Sequence, residues 1–215
     1  MPAAGWRSFV CAVGLALLVP KAAVTQEQTR YKLELTAIVE ARPGELDARQ
    51  RKTIFQQVAR IWKPYGFDVC VRPEVNDRCP VPDFLVRVVL GDRRTRPAPE
   101  TIGWIQFLDT GQPHNVVYAS LDGAHLALER ARIGGHLLSL EPFPIRQRFL
   151  LQSVARSIAH ELGHYLLGSK THAERGLMRE RFPVSDLLDP GIARFRLEPD
   201  ELPMLHRMVA LVAQK

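Results

Sequence analysis

The chain has little cysteine, no hydrophobic run long enough to cross a membrane and only a modest charge imbalance. Its three cysteines, spread over 215 residues, include no CxxC pair, so neither a zinc-finger framework nor a dithiol redox motif can be built from them. The apolar stretch Phe9 to Val19 falls short of the ~20 residues a membrane-spanning helix takes. A net charge of +6 argues weakly for nucleic acid. Arg93, Arg94 and Arg96 do cluster, but beside Pro97 and Pro99 and without interleaved aromatics, which reads as a solvated loop. No GxSxG elbow, phosphate-binding loop or dinucleotide fingerprint occurs, so serine hydrolase, nucleotide-binding and oxidoreductase chemistry lose support. Repeats and low-complexity tracts are missing as well. With 46% hydrophobic and 24% charged residues, the composition is that of a soluble globular domain.

The N-terminus carries Arg7, the apolar run and then Ala22 and Ala23, the layout of a secretory signal peptide cleaved near Thr25. The expected organisation is a signal peptide over residues 1–25 and one domain over 26–215, in a protein exported to the periplasm or beyond. An uncleaved anchor is the rival reading. Cys11 lies in the apolar run without a lipoprotein-like context. Export leaves Cys70 and Cys79 in an oxidising compartment, which predicts a disulfide closing a loop with Pro73, Asn76 and Asp77. Free thiols or a pair of soft metal ligands are the alternatives.

Hydrophobic periodicity predicts a half-buried strand at YKLELTAIVE, 31–40, then a helix through Leu46, Ile54, Val58, Ile61 and Trp62 that Pro64 and Gly66 end. Four β-rich runs follow: FDVCV, FLVRVVL, TIGWIQFL and NVVYASL. A long helix begins near Ile145, after Pro142 and Pro144, and runs to Gly168. Leu151, Val154, Ile158, Leu162 and Tyr165 form its apolar stripe. Its other face carries Ser153, Ser157, His160 and His164, and the small serines predict room for a cleft above the histidines. A last helix is expected over 199–212.

Within the long helix stands AHELGHYLLGSKTHAERGLM, 159–178. Residues four apart lie one turn above each other, so His160 and His164 can aim two ring nitrogens at one point. Zinc sites use such imidazoles, and a catalytic site takes three protein ligands. Glu161, beside the first histidine, is placed to take a proton from water rather than to bind metal. Gly168 can end the helix in the left-handed conformation and turn the chain back, bringing His172 within reach as a third ligand.

This stretch resembles the metzincin class of zinc metallopeptidases, whose pattern is HExxHxxGxxH followed by a methionine turn. The spacing departs from that pattern: here the glycine is four residues after His164 rather than three, and the third histidine eight rather than six. HELGHYLLGSKTH with GLMR is also similar to a group of small exported bacterial proteins known as zinc peptidases by motif alone. The resemblance implies His160, His164 and His172 as ligands of Zn²⁺, Glu161 as base and Met178 as the residue under the metal. It further implies an α+β, metzincin-like (zincin) fold, a twisted mixed sheet packed on an active-site helix with a C-terminal helix behind. Open alternatives are His172 as a loop residue, a carboxylate ligand from Glu174, Glu180, Glu198 or Glu201, and Met178 as plain core.

The function these features imply is a secreted zinc-dependent endopeptidase acting on peptides or proteins, without nucleic-acid partner or membrane insertion after signal cleavage. A zinc-stabilised binding protein on the same fold is the alternative. TIGWIQFL is the strand expected to pair with an extended substrate. His114, His125, His136 and His206 are candidates in type only for a second electrophile.

Overall fold

The computed structural model describes residues 30–39, 46–72, 79–91 and 96–212. The expected signal peptide, Arg93, Arg94 and the interior of the loop between the two paired cysteines lie outside the described residues.

Five strands form one sheet in the order β2-β1-β3-β5-β4, with β1 at Tyr31–Val39, β2 at Phe67–Arg72, β3 at Phe84–Leu90, β4 at Gly103–Phe107 and β5 at Pro113–Ala119. The first four in that order run parallel, and β4 lies antiparallel to β5 at the edge. Alternation decides which side faces inward. Phe84, Val86, Val88 and Leu90 of the central β3 are buried, and Leu33 and Leu35 of β1 have no exposure at all. Each such side chain contributes about 1.5–3 kcal/mol by leaving water.

Two helices close the core. Helix α1, Ala48–Trp62, starts on a capping box in which Gln50 N–H donates to Asp47 Oδ1 at 2.8 Å and Asp47 N–H to Gln50 Oε1 at 2.7 Å. Past Pro64, Gly66 at φ 84° turns the chain into β2. At the end of α1 the buried Trp62 donates its indole N–H to Ala159 O at 3.2 Å, tying α1 to the long helix one residue before His160.

That long helix, α3, is Phe143–Leu167. At 1.5 Å per residue it is about 37 Å long and passes through the whole core. From Phe149 to Leu167 only Tyr165 is not buried. The serine face is therefore not the open ground the sequence suggests. Ser153 and Ser157 are both buried, and at Ser157 Gly103 lets β4 approach the helix: a Cβ on Gly103 would come 2.5 Å from Ser157 Oγ and 3.2 Å from Glu161 Cγ.

Two further helices, α2 at Leu121–Leu128 and α4 at Val184–Leu188, and a hairpin of β6, Arg132–Ile133, with β7, His136–Leu137, escape the sequence reading. In α2, Ser120 caps by accepting from Gly123 N–H at 2.8 Å, and Gly123 is needed because a Cβ there would strike Thr101 O. Arg96 donates to the same Ser120 hydroxyl at 2.7 Å, so it is not a solvated loop cation. The C-terminal helix is α5, Leu202–Val212, with Leu205 and Val209 buried. Cys70 and Cys79 form a disulfide with Cα atoms 5.9 Å apart, binding edge strand β2 to the segment before β3. No helix among the described residues is long and apolar enough to cross a membrane.

Candidate metal centre

His160 and His164 point from the last turns of α3 to the same place. Their rings are perpendicular with centroids 4.7 Å apart, and their Nε2 atoms approach to 3.1 Å. Gly168, at φ 61°, caps the helix: its N–H and that of Ser169 return to the carbonyls of Tyr165 and His164. The chain reverses there and carries His172 back. Its ring stacks parallel to His160 at 5.4 Å and edge-on to His164 at 4.8 Å. One ligating nitrogen from each of the three lies within 4.8 Å of the others, and this is the one such cluster of potential metal-binding groups among the described residues.

The other ring nitrogens decide which atoms are free. His160 Nδ1 lies 2.7 Å from Leu177 O, and His164 Nδ1 lies 2.8 Å from Ser169 O. A carbonyl oxygen only accepts, so both Nδ1 atoms carry the hydrogen and donate, which leaves each Nε2 a bare lone pair. Two lone pairs 3.1 Å apart repel unless a cation lies against both. A proton does not serve at neutral pH. Burial, with the neighbouring His164, pushes His160 down to about 3, and burial, with His172 adding, pushes His164 down to about 4. The donor set, geometry and tautomers suit a borderline-soft divalent ion such as Zn²⁺.

Glu161 is buried beside this cluster, its Oε1 4.0 Å from His160 Nε2. Burial pushes its carboxyl up to about 8, while the Ile105 N–H of β4, donating to it, pulls the other way. The carboxylate thus joins the helix to the edge strand. Phe107, also on β4, meets His164 edge-on at 6.0 Å, and Phe182 meets His160 edge-on at 5.5 Å, so aromatic walls flank the imidazoles.

Met178 has no exposure and lies directly under the motif: a Cβ on Gly163 would overlap its sulfur. The turn that carries it is pinned by Ala173 N–H to Met178 O at 2.8 Å and Leu177 N–H to Arg196 O at 2.6 Å. Gly176, at φ 76°, adopts a conformation that favours glycine, and a Cβ there would strike Arg196 O.

The carboxylates raised as alternative ligands sit elsewhere. Glu174 and Glu180 are exposed, Glu198 lies against Gly176, and Glu201 accepts from Glu198 N–H at 2.6 Å. His114, His125, His136 and His206 are exposed and outside the cluster. The sequence reading missed Leu177 O, Ser169 O and the Ile105 N–H, since backbone groups leave no mark in a sequence. It also missed Arg156, whose signal was available: a lone cation in an apolar helical window, one turn before His160.

No protein-family model matches the chain, and no curated protein matches it. Among solved structures it is similar to archaemetzincin from Methanopyrus kandleri, at 16% identity and a TM-score of 0.46, over 87% of this chain and 99% of that one. It is also similar to metalloproteinase-II from Bacteroides fragilis, at 14% identity and a TM-score of 0.44, over 85% of this chain and 55% of that one. At these values neither likeness assigns an activity; the chemistry is carried by the side chains of the site.

Proposed function

We propose that this chain is an exported zinc-dependent endopeptidase, with a signal peptide over residues 1–25, a single domain of metzincin type over 26–215 and peptides or proteins as substrates. The observation that carries the reading is the pair of bare Nε2 atoms of His160 and His164, 3.1 Å apart, with His172 beside them and a buried carboxyl next in sequence to the first.

His160, His164 and His172 would hold the ion, and Met178 would floor the site. A zinc ion bound there supplies Lewis acidity toward a water molecule and a peptide carbonyl. Glu161 takes one proton from the attacking water as its oxygen adds to the carbonyl carbon. The same carboxyl then gives that proton to the departing nitrogen as the C–N bond breaks, leaving a carboxylic acid and an amine. A divalent cation close by favours the ionised carboxylate, offsetting the burial that raises Glu161. Strand β4 supports the substrate side of the reading, because it is an edge strand packed on α3 and offers backbone groups to an extended peptide. Its Ile105 N–H is already used by Glu161.

The test is Glu161→Ala measured beside wild type. Zinc content is expected to stay at one per chain while cleavage of a broad peptide library falls at least ~100-fold, as for loss of a general base. A wild-type protein that holds zinc yet cuts nothing in the library would shift the reading to a zinc-stabilised binding protein.

A further inference from the structure

Arg156 is almost wholly buried one helical turn before His160, and both terminal nitrogens of its guanidinium donate to backbone. Nη1 donates to Asp186 O and Leu187 O, each at 2.7 Å, and Nη2 to Gly191 O at 2.6 Å and to Asp189 O. The fan of bonds clamps the whole 186–191 segment to α3. Two separate lines of contact then run from that clamp back to the ring of His160.

The first is polar. The buried Asp186 carboxylate accepts from Arg179 Nη1 at 2.8 Å, and Arg179 follows Met178 directly. That bond holds the turn whose Leu177 carbonyl receives the His160 Nδ1 hydrogen at 2.7 Å. The second is aromatic. The Arg156 guanidinium lies over the Phe195 ring at 4.2 Å, Phe195 packs on Phe182 at 5.0 Å, and Phe182 meets His160 at 5.5 Å. One line ends at the carbonyl that takes the His160 Nδ1 hydrogen, the other at the ring itself.

We infer that Arg156, Asp186 and Arg179 are positioning residues for the histidine site, orienting the His160 imidazole through the Leu177 carbonyl and through the Phe195–Phe182 pair. This rests on the reading of the three histidines as zinc ligands. An outer partner that fixes a ligand's tautomer is worth about 10–100-fold in metal affinity.

Arg156 itself is a poor probe, since its removal takes the Arg156 donor from the Gly191 carbonyl and leaves a cavity in the core, which endangers the fold. Arg179 has a side chain 25% exposed and pairs with Asp186, and it can be changed without opening the core. The experiment is zinc affinity of the full chain, by competition with a chromophoric chelator, for wild type, Arg179→Gln, Asp186→Asn and Arg194→Gln. Melting of each metal-free protein is followed in parallel. Arg194 also pairs with Asp186, at 3.1 Å, but its side chain is 64% exposed and does not belong to the methionine turn.

Arg179→Gln and Asp186→Asn are expected to bind zinc about 3–10-fold more weakly, less than the loss of a direct partner because they act through the Leu177 carbonyl, with partial recovery in Arg179→Lys. Arg194→Gln is expected to stay within about twofold of wild type, as for an exposed pair. If Arg179→Gln and Asp186→Asn melt lower yet bind zinc as wild type does, the network is only structural and the inference is overturned. A wild-type chain that binds no zinc overturns the histidine-site reading itself, and this inference with it.

Discussion

Gly163 and Met178 are in contact across the floor of the histidine cluster, the thioether filling the space a side chain at 163 would need. Glycine inside a helix ordinarily costs about 1 kcal/mol relative to alanine. Here the cost is repaid by the packing of a fully buried methionine between the two histidine positions of the motif.

Gly163→Ala is therefore expected to destabilise the protein by about 1–3 kcal/mol through overpacking, against the helix-propensity trend. In a Met178→Ala background the Gly163→Ala change should cost less than in wild type, because the added methyl then has room, although Met178→Ala is itself destabilising. Chemical denaturation of the four proteins of this cycle measures it. A stabilised Gly163→Ala single variant would rule out the tight contact.

His172→Ala removes one of three imidazoles whose nitrogens lie within 4.8 Å of each other. Zinc affinity should drop by more than about 100-fold, beyond the effect of an outer-shell change. Chelator competition reads it directly. Unchanged affinity would mean that residue 172 is a bystander.

The buried titratable groups give the metal-free protein opposing pH dependences. His160 and His164, held at about 3 and about 4, bind fewer protons folded than unfolded, where imidazole titrates at 6.5. Their contribution is present above pH 6.5 and is lost as pH falls toward 4. Glu161, held at about 8 against 4.5 when free, keeps its proton in the fold, so its contribution is present below pH 4.5 and is lost as pH rises to 8. Relative to Glu161→Gln, the metal-free wild type should lose stability between pH 5 and 8. Zinc should abolish that slope, because the cation favours the carboxylate. Parallel stability curves for wild type and variant without metal would contradict it.

Reducing the Cys70–Cys79 bridge frees a short loop whose closure is worth about 2–3 kcal/mol in the chain-entropy model. Unfolding free energies from chemical denaturation in the presence and absence of reductant should differ by that much. Rapid thiol labelling of both cysteines in the unreduced native protein would exclude the bridge.

A good share of this molecule can be read along the chain. The 3.6-residue period, the prolines before α3 and Gly168 after it are local features, and they place the long helix to within two residues of its observed start. The i, i+4 relation of His160 and His164 is equally local, since helix geometry alone puts both rings on one face. Tertiary structure decides the rest. Helix α2 is hidden by Gly123, which reads as a breaker until Thr101 is seen passing it. The serine face of α3 is buried rather than open, and at Ser157 a strand about fifty residues earlier carries a glycine at the crossing point. The tautomers of His160 and His164 depend on carbonyls at Leu177 and Ser169, and a carbonyl is the same in every residue. Sequence thus determined which side chains could serve a metal site. Only the fold, by bringing backbone groups and distant loops against them, determined which nitrogen atoms are left bare and where they meet.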